Sequence, residues 1–123
     1  MRLDDLVEDK CWFCSEQTTC QEAADLMTER GLDVLPVLDS QGRLVGIVTA
    51  DELEGEKRRS MIRSVCRRKF PTIQRDANTE HLRAICESDT DEPFVALVDH
   101  FQRLCGLIDL ARARQVLRCS TVR

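Results

Sequence analysis

One pattern of residues occurs twice in this chain, about 60 positions apart, and a fold must accommodate both copies. In the first copy Ala23, Leu26 and Met27 recur at i, i+3 and i+4, which predicts a helix with one apolar face. Thr19 and Glu22 have capping-box spacing and place the helix start at Thr19; Gly31 ends it. Two short apolar runs follow, Val34–Leu38 and Leu44–Thr49. The polar turn Asp39-Ser40-Gln41-Gly42 separates them and predicts an antiparallel hairpin. The polar stretch Asp51–Arg59, with Leu53 as its apolar contact, is expected to form a second helix. In the second copy Ile73 stands for Cys14, Asn78 for Thr19, and Leu82, Ile85 and Cys86 for the apolar face. Phe94–Asp99 and Leu104–Asp109 repeat the hairpin, and Leu110–Leu117 the last helix. The offset is 59 residues before Gly31 and 60 after it, so that loop has gained one residue.

Each copy reads strand–helix–strand–strand–helix, too small to bury its apolar face stably alone. The expected fold is therefore one α/β (α+β) domain of two β-α-β-β-α repeats, 1–60 and 61–123, packed around a pseudo-twofold axis. The other bulk features agree. Apolar runs of about five residues are strand-sized, far short of the roughly 20 needed to span a bilayer. Acidic Asp4 and Asp5 stand where an export signal would be apolar, so a soluble cytoplasmic domain is expected. A net charge of −4, with one Trp, four Phe and no Tyr, argues against a membrane or nucleic-acid binder. The seven cysteines are odd in number and scattered, so reduced thiols are expected.

The ordered set Ala23-Ala24-Asp25-Leu26-Met27, Gly31, Leu35-Pro36-Val37-Leu38-Asp39 and Gly42-Arg43-Leu44-Val45-Gly46-Ile47-Val48-Thr49 closely resembles the cystathionine-β-synthase (CBS) domain. With its divergent second copy, the chain resembles a tandem CBS pair, or Bateman module. That resemblance implies clefts that take adenine nucleotides or adenosyl compounds, such as AMP, ATP or S-adenosylmethionine. It also implies a regulatory role without chemistry of its own, and dimerisation through helices.

The family's third strand ends in Gly-hydrophobic-X-Ser/Thr-X-X-Asp, whose hydroxyl and carboxylate hold ribose or phosphate. Here Gly46-Ile47-Val48-Thr49-Ala50-Asp51-Glu52 supplies Thr49, with Glu52 in the acid's place and Asp51 beside it. The second copy has Asp109 for the hydroxyl residue and Arg112 for the acid, reversing the charge. A family Thr at the first strand, lining the adenine end, is matched by Thr72 before Ile73, whereas the first copy has Phe13. By the family's pairing, Thr49 and Glu52 join Thr72 in one cleft, and Asp109 and Arg112 join Phe13 in a degenerate one. One competent site per chain is the expectation. The acidic loop Ser88-Asp89-Thr90-Asp91-Glu92-Pro93 would repel phosphates unless it held Mg²⁺; Arg58, Arg59 or Arg112 are the candidate compensating bases.

Other motifs read more plainly. Cys11-Trp12-Phe13-Cys14 lacks a second ligand pair for zinc, and Ser15-Glu16-Gln17-Thr18 separates it from the helix, so packed or surface thiols are favoured over metal or redox use. Lys57, Arg58, Arg59, Arg63, Arg67, Arg68 and Lys69 suggest a phosphate or nucleic-acid patch. A solvated connector helix with Met61, Ile62, Val65 and Cys66 inward is favoured instead. His81 and His100 have no partners in a catalytic arrangement. The expected function is a stand-alone, non-enzymatic regulatory module, homodimeric, signalling from an adenosyl ligand to a partner protein. The alternative is a dimerisation or interaction module without ligand.

Overall fold

The computed structural model describes residues 2–7, 11–54, 59–88, 90 and 92–118. The chain divides into two compact units, Trp12–Lys69 and a second made of Met1–Cys11 with Phe70–Arg123. The fold is mixed α+β, with a three-stranded sheet in each unit.

In the first unit, strand β1 (Cys14–Ser15) leads into helix α1 (Cys20–Arg30), then strands β2 (Val34–Leu38) and β3 (Leu44–Thr49) and helix α2 (Ala50–Leu53). Sheet order is β1-β2-β3, with β1 parallel to β2 and β2 antiparallel to β3. Thr19 caps α1 through a full capping box with Glu22, and Gly31 ends it in the left-handed region at φ 65°. Ala23 and Met27 on the apolar face pack with Leu35, Val37, Val48 and Ile62 in one core.

The second unit repeats this with β4 (Thr72–Gln74), α3 (Thr79–Glu87), β5 (Phe94–Val98), β6 (Leu104–Asp109) and α4 (Leu110–Leu117). Even the register is copied. Cys14 pairs with Val37 and Val37 with Gly46; Ile73 pairs with Leu97 and Leu97 with Gly106. Leu82, Val95, Leu97, Ile108 and Leu110 form its core, joined by Leu3 and Leu6 of a 3-10 turn near the N-terminus.

The segments that precede each repeat are exchanged. Val7 bridges Ile108 on β6, and a β-carbon on Gly106 would collide with the Val7 side chain. Fifty-nine positions on, Cys66 takes the corresponding place over Gly46, and Arg67 bridges Ile47 on β3. Both glycines are thus sites where a neighbouring segment lies against the sheet.

Two expectations for the first repeat's end are corrected. Of the helix expected over Asp51–Arg59, the described residues form only Ala50–Leu53, and Glu54 is extended at φ −64°, ψ 130°. Beyond Leu53 the sequence offers no apolar side chain to bury before Met61; residues 55–58, Lys57 and Arg58 among them, lie outside the described residues. Nor do Met61–Cys66 form a connector helix. A 3-10 turn, Ile62–Ser64, buries Ile62, and the chain then runs beside β3. Docking over Gly46 supplies backbone hydrogen bonds to β3 that a solvated helix would not make.

Candidate functional site

Thr49, the last residue of β3, caps α2. Its Oγ1 accepts from the Glu52 N–H at 3.3 Å. Glu52 Oε1 accepts in return from Thr49 N and Thr49 Oγ1, both at 2.9 Å. The other carboxylate oxygen, Oε2, lies 3.2 Å from Arg67 Nε. Asp51 is exposed beside this pair and borders a cavity of about 360 Å³ between α1 and α2, lined also by Ala24, Met27, Leu32 and Leu53. The fold therefore gathers Thr49, Asp51 and Glu52 within one turn.

The same geometry occurs where no ligand role was read. At α1, Glu22 Oε1 accepts from Thr19 N at 3.0 Å and Thr19 Oγ1 at 3.1 Å, and Glu22 N donates to Thr19 Oγ1 at 3.1 Å. Thr-X-X-Glu at β3 is thus a capping box first, which accounts for Glu52 where the family has Asp: the longer side chain reaches back to the Thr49 N–H. The second repeat solves the same problem differently. Asp109 Oδ1 accepts from Ala111 N at 2.8 Å and Arg112 N at 3.4 Å, so no acid is needed three residues on, and Arg112 is exposed.

Thr72 opens β4 with an exposed side chain, and Ile73 is 2% exposed within the second unit's core. Phe13, just before β1, is 55% exposed.

Several features escaped the sequence. Arg67, read only as part of a basic run, is the base placed at Glu52. Asp39 and Asp99 organise the two hairpin turns alike: one oxygen accepts from Gln41 N and Arg43 N, or Phe101 N and Arg103 N, and the other from the Arg Nε. The repeated Asp-X-X-X-Arg was the available signal. Arg68 is also tied down, donating to the Val45 and Arg63 carbonyls at 3.4 Å each.

Cys11 is half-buried and Cys14 buried, and burial pushes both thiols up, Cys14 to about 11. Among the described residues no three His, Cys, Asp or Glu side chains group as metal ligands. Asp89, Asp91 and Cys119 lie outside the described residues. His100 Nε2 is 3.1 Å from Asp76 Oδ2, both exposed, while the His81 N–H is capped by Asn78. No helix among the described residues is long and apolar enough to cross a membrane.

Residues 3–55 match the family model for the CBS domain. The magnesium transporter MgtE of Thermus thermophilus is 40% identical over 52 residues, 42% of this chain and 12% of that protein. The L-aspartate semialdehyde sulfurtransferase of Methanocaldococcus jannaschii is 28% identical over 89 residues, 71% of this chain and 17% of that protein. The chain thus spans less than a fifth of either relative. Among solved structures, the CBS domain pair of protein MJ0100, in complex with 5′-methylthioadenosine and S-adenosyl-L-methionine, is similar with a TM-score of 0.77 at 22% identity over 96% of each chain. Residues 3–55 are thus similar to the CBS domain and, across 96% of its length, the chain has the fold of a tandem CBS pair.

Proposed function

We propose that this chain is a regulatory CBS-pair module that binds one adenosine-containing metabolite of the AMP, ATP or S-adenosylmethionine type and signals to a partner protein. The observation that carries this reading is the Thr49–Glu52 pair, held in a single geometry at the end of β3 with Asp51 exposed beside it. A carboxylate and a hydroxyl so placed can meet a ribose diol. The similar MJ0100 pair, which holds two adenosyl compounds, supports the choice of ligand class. Thr72 and Ile73 are the proposed contribution of the second repeat; Phe13, Asp109 and Arg112 mark the degenerate counterpart. The module works as a cytoplasmic homodimer without catalysis, and ligand biases which arrangement its partner meets.

Calorimetric titration with adenosine, AMP, ATP and S-adenosylmethionine tests this. One site per chain is expected, weakened by Thr49→Val and by Thr72→Val. Two equal sites, or loss of binding in Arg112→Ala but not in Thr49→Ala, would overturn it.

The identity of the Thr49–Glu52 box with the purely local Thr19–Glu22 box favours a second reading, a ligand-free interaction or dimerisation module. Flat thermal-shift curves across the same adenosyl compounds would select it.

A further inference from the structure

Glu52 is engaged on both oxygens. Oε1 belongs to the capping box, while Oε2 faces Arg67 Nε at 3.2 Å. Arg67 lies on the stretch that joins the two repeats. Its backbone pairs with Ile47 in both directions, the Ile47 N–H donating to Arg67 O at 2.9 Å and the Arg67 N–H to Ile47 O at 2.7 Å. Just before it, Cys66 sits in the hollow over Gly46. A guanidinium carried by the connector therefore faces Glu52 Oε2, the carboxylate oxygen that takes no part in the capping box.

We propose that Arg67 is the coupling residue of this site: ligand hydroxyls and the Arg67 guanidinium compete for Glu52 Oε2, so occupancy of the site loosens the connector at Arg67. This rests on the function proposed above, and adds the path by which that site reports outward. The coupling is reciprocal: a docked Arg67 weakens the ligand as much as the ligand weakens docking. Its size follows from exposure. The side chains of Arg67 and Glu52 are each about one third exposed, so the pair is worth what a surface ion pair is worth, about a twofold to fivefold change in affinity.

Adenosine is the appropriate probe, because it offers the ribose diol without a phosphate that would itself attract Arg67. Calorimetry would compare the wild-type chain with Arg67→Met, which keeps the apolar stem, and Arg67→Lys, which restores the charge. Hydrogen exchange would follow the Arg67 amide. Arg67→Met should bind adenosine about twofold to fivefold more tightly, and Arg67→Lys should return towards wild type. Saturating adenosine should speed exchange at the Arg67 amide in the wild type. Equal or weaker binding by Arg67→Met, or slower amide exchange with adenosine, overturns Arg67's role and leaves the proposed function standing. No adenosine binding by the wild type overturns both.

Discussion

The sulfur of Cys66 lies 2.6 Å from where a β-carbon on Gly46 would stand. The Arg67 carbonyl, 3.0 Å from the same point, is fixed by its hydrogen bond from Ile47 N. A methyl group at position 46 must therefore displace both a side chain and paired backbone. Gly46→Ala is expected to cost about 1–3 kcal/mol, the range for overpacking a filled site. Adding Cys66→Ala should recover part of that loss but not all, because the carbonyl remains. Urea denaturation of the two single variants and the double variant measures the coupling. Additive costs would show that Cys66 does not fill the hollow.

The two Thr-X-X-Glu boxes separate structural work from ligand binding. Thr19→Ala and Thr49→Ala each remove a cap, so each should lower stability by about 0.5–2 kcal/mol, with Thr49→Ala nearer the lower end because α2 has four residues. Only Thr49→Ala should alter an adenosine titration. If Thr19→Ala changes that titration equally, the effect on binding is a general loosening of the fold and Thr49 has no ligand role.

Local chemistry made most of the fold legible. The i, i+3, i+4 spacing of Ala23, Leu26 and Met27, the Thr19–Glu22 box and Gly31 define α1 within a dozen residues, and the hairpins follow from the apolar runs around Asp39 and Asp99. The connector differs from the helix its sequence suggests for a physical reason. Met61, Ile62, Val65 and Cys66 have spacing that suits a helical face, but Ile62 is buried in the first unit's core and Cys66 fills a hollow at Gly46, twenty residues away in sequence. The candidate site divides in the same way. Thr49 with Glu52 is a local motif and was visible, whereas Arg67 reaches Glu52 only because the connector docks on β3.

The hairpin turns predict an acid limb in stability. Backbone N–H groups of Arg103 and Phe101 and the Arg103 guanidinium hold Asp99 below the ordinary value of 3.8, against some desolvation. At Asp39 desolvation is the largest single influence and acts upward, yet the donors from Arg43 and Gln41 outweigh it and the carboxyl is also lowered. The Thr19 N–H and hydroxyl lower Glu22 from 4.5. In each case the unfolded chain binds the proton more readily. The stabilisation is therefore complete above the unfolded values and is lost as pH falls through the lower folded ones. Denaturation midpoints should drop below about pH 4, and Asp99→Asn should flatten that limb while lowering stability at neutral pH. A limb unchanged in both Asp39→Asn and Asp99→Asn would place the acid sensitivity elsewhere.

The paired thiols of Cys11-Trp12-Phe13-Cys14 should be inert. Burial drives Cys14 up to about 11, with a hydrogen bond to Thr18 lowering it only partly and Cys66 nearby raising it further; burial also raises Cys11. At pH 8 about one Cys14 in a thousand is then thiolate, the form that attacks electrophiles and binds metal. Iodoacetamide should alkylate Cys14 in the native protein far more slowly than in urea, and added zinc should leave the melting temperature unchanged. Rapid native alkylation of Cys14 would mean that the β1 strand opens easily, since Cys14 is buried in the first unit's core and pairs with Val37. A zinc-dependent rise in melting temperature would instead mean that the metal's affinity for thiolate outweighs the burial that keeps the proton on.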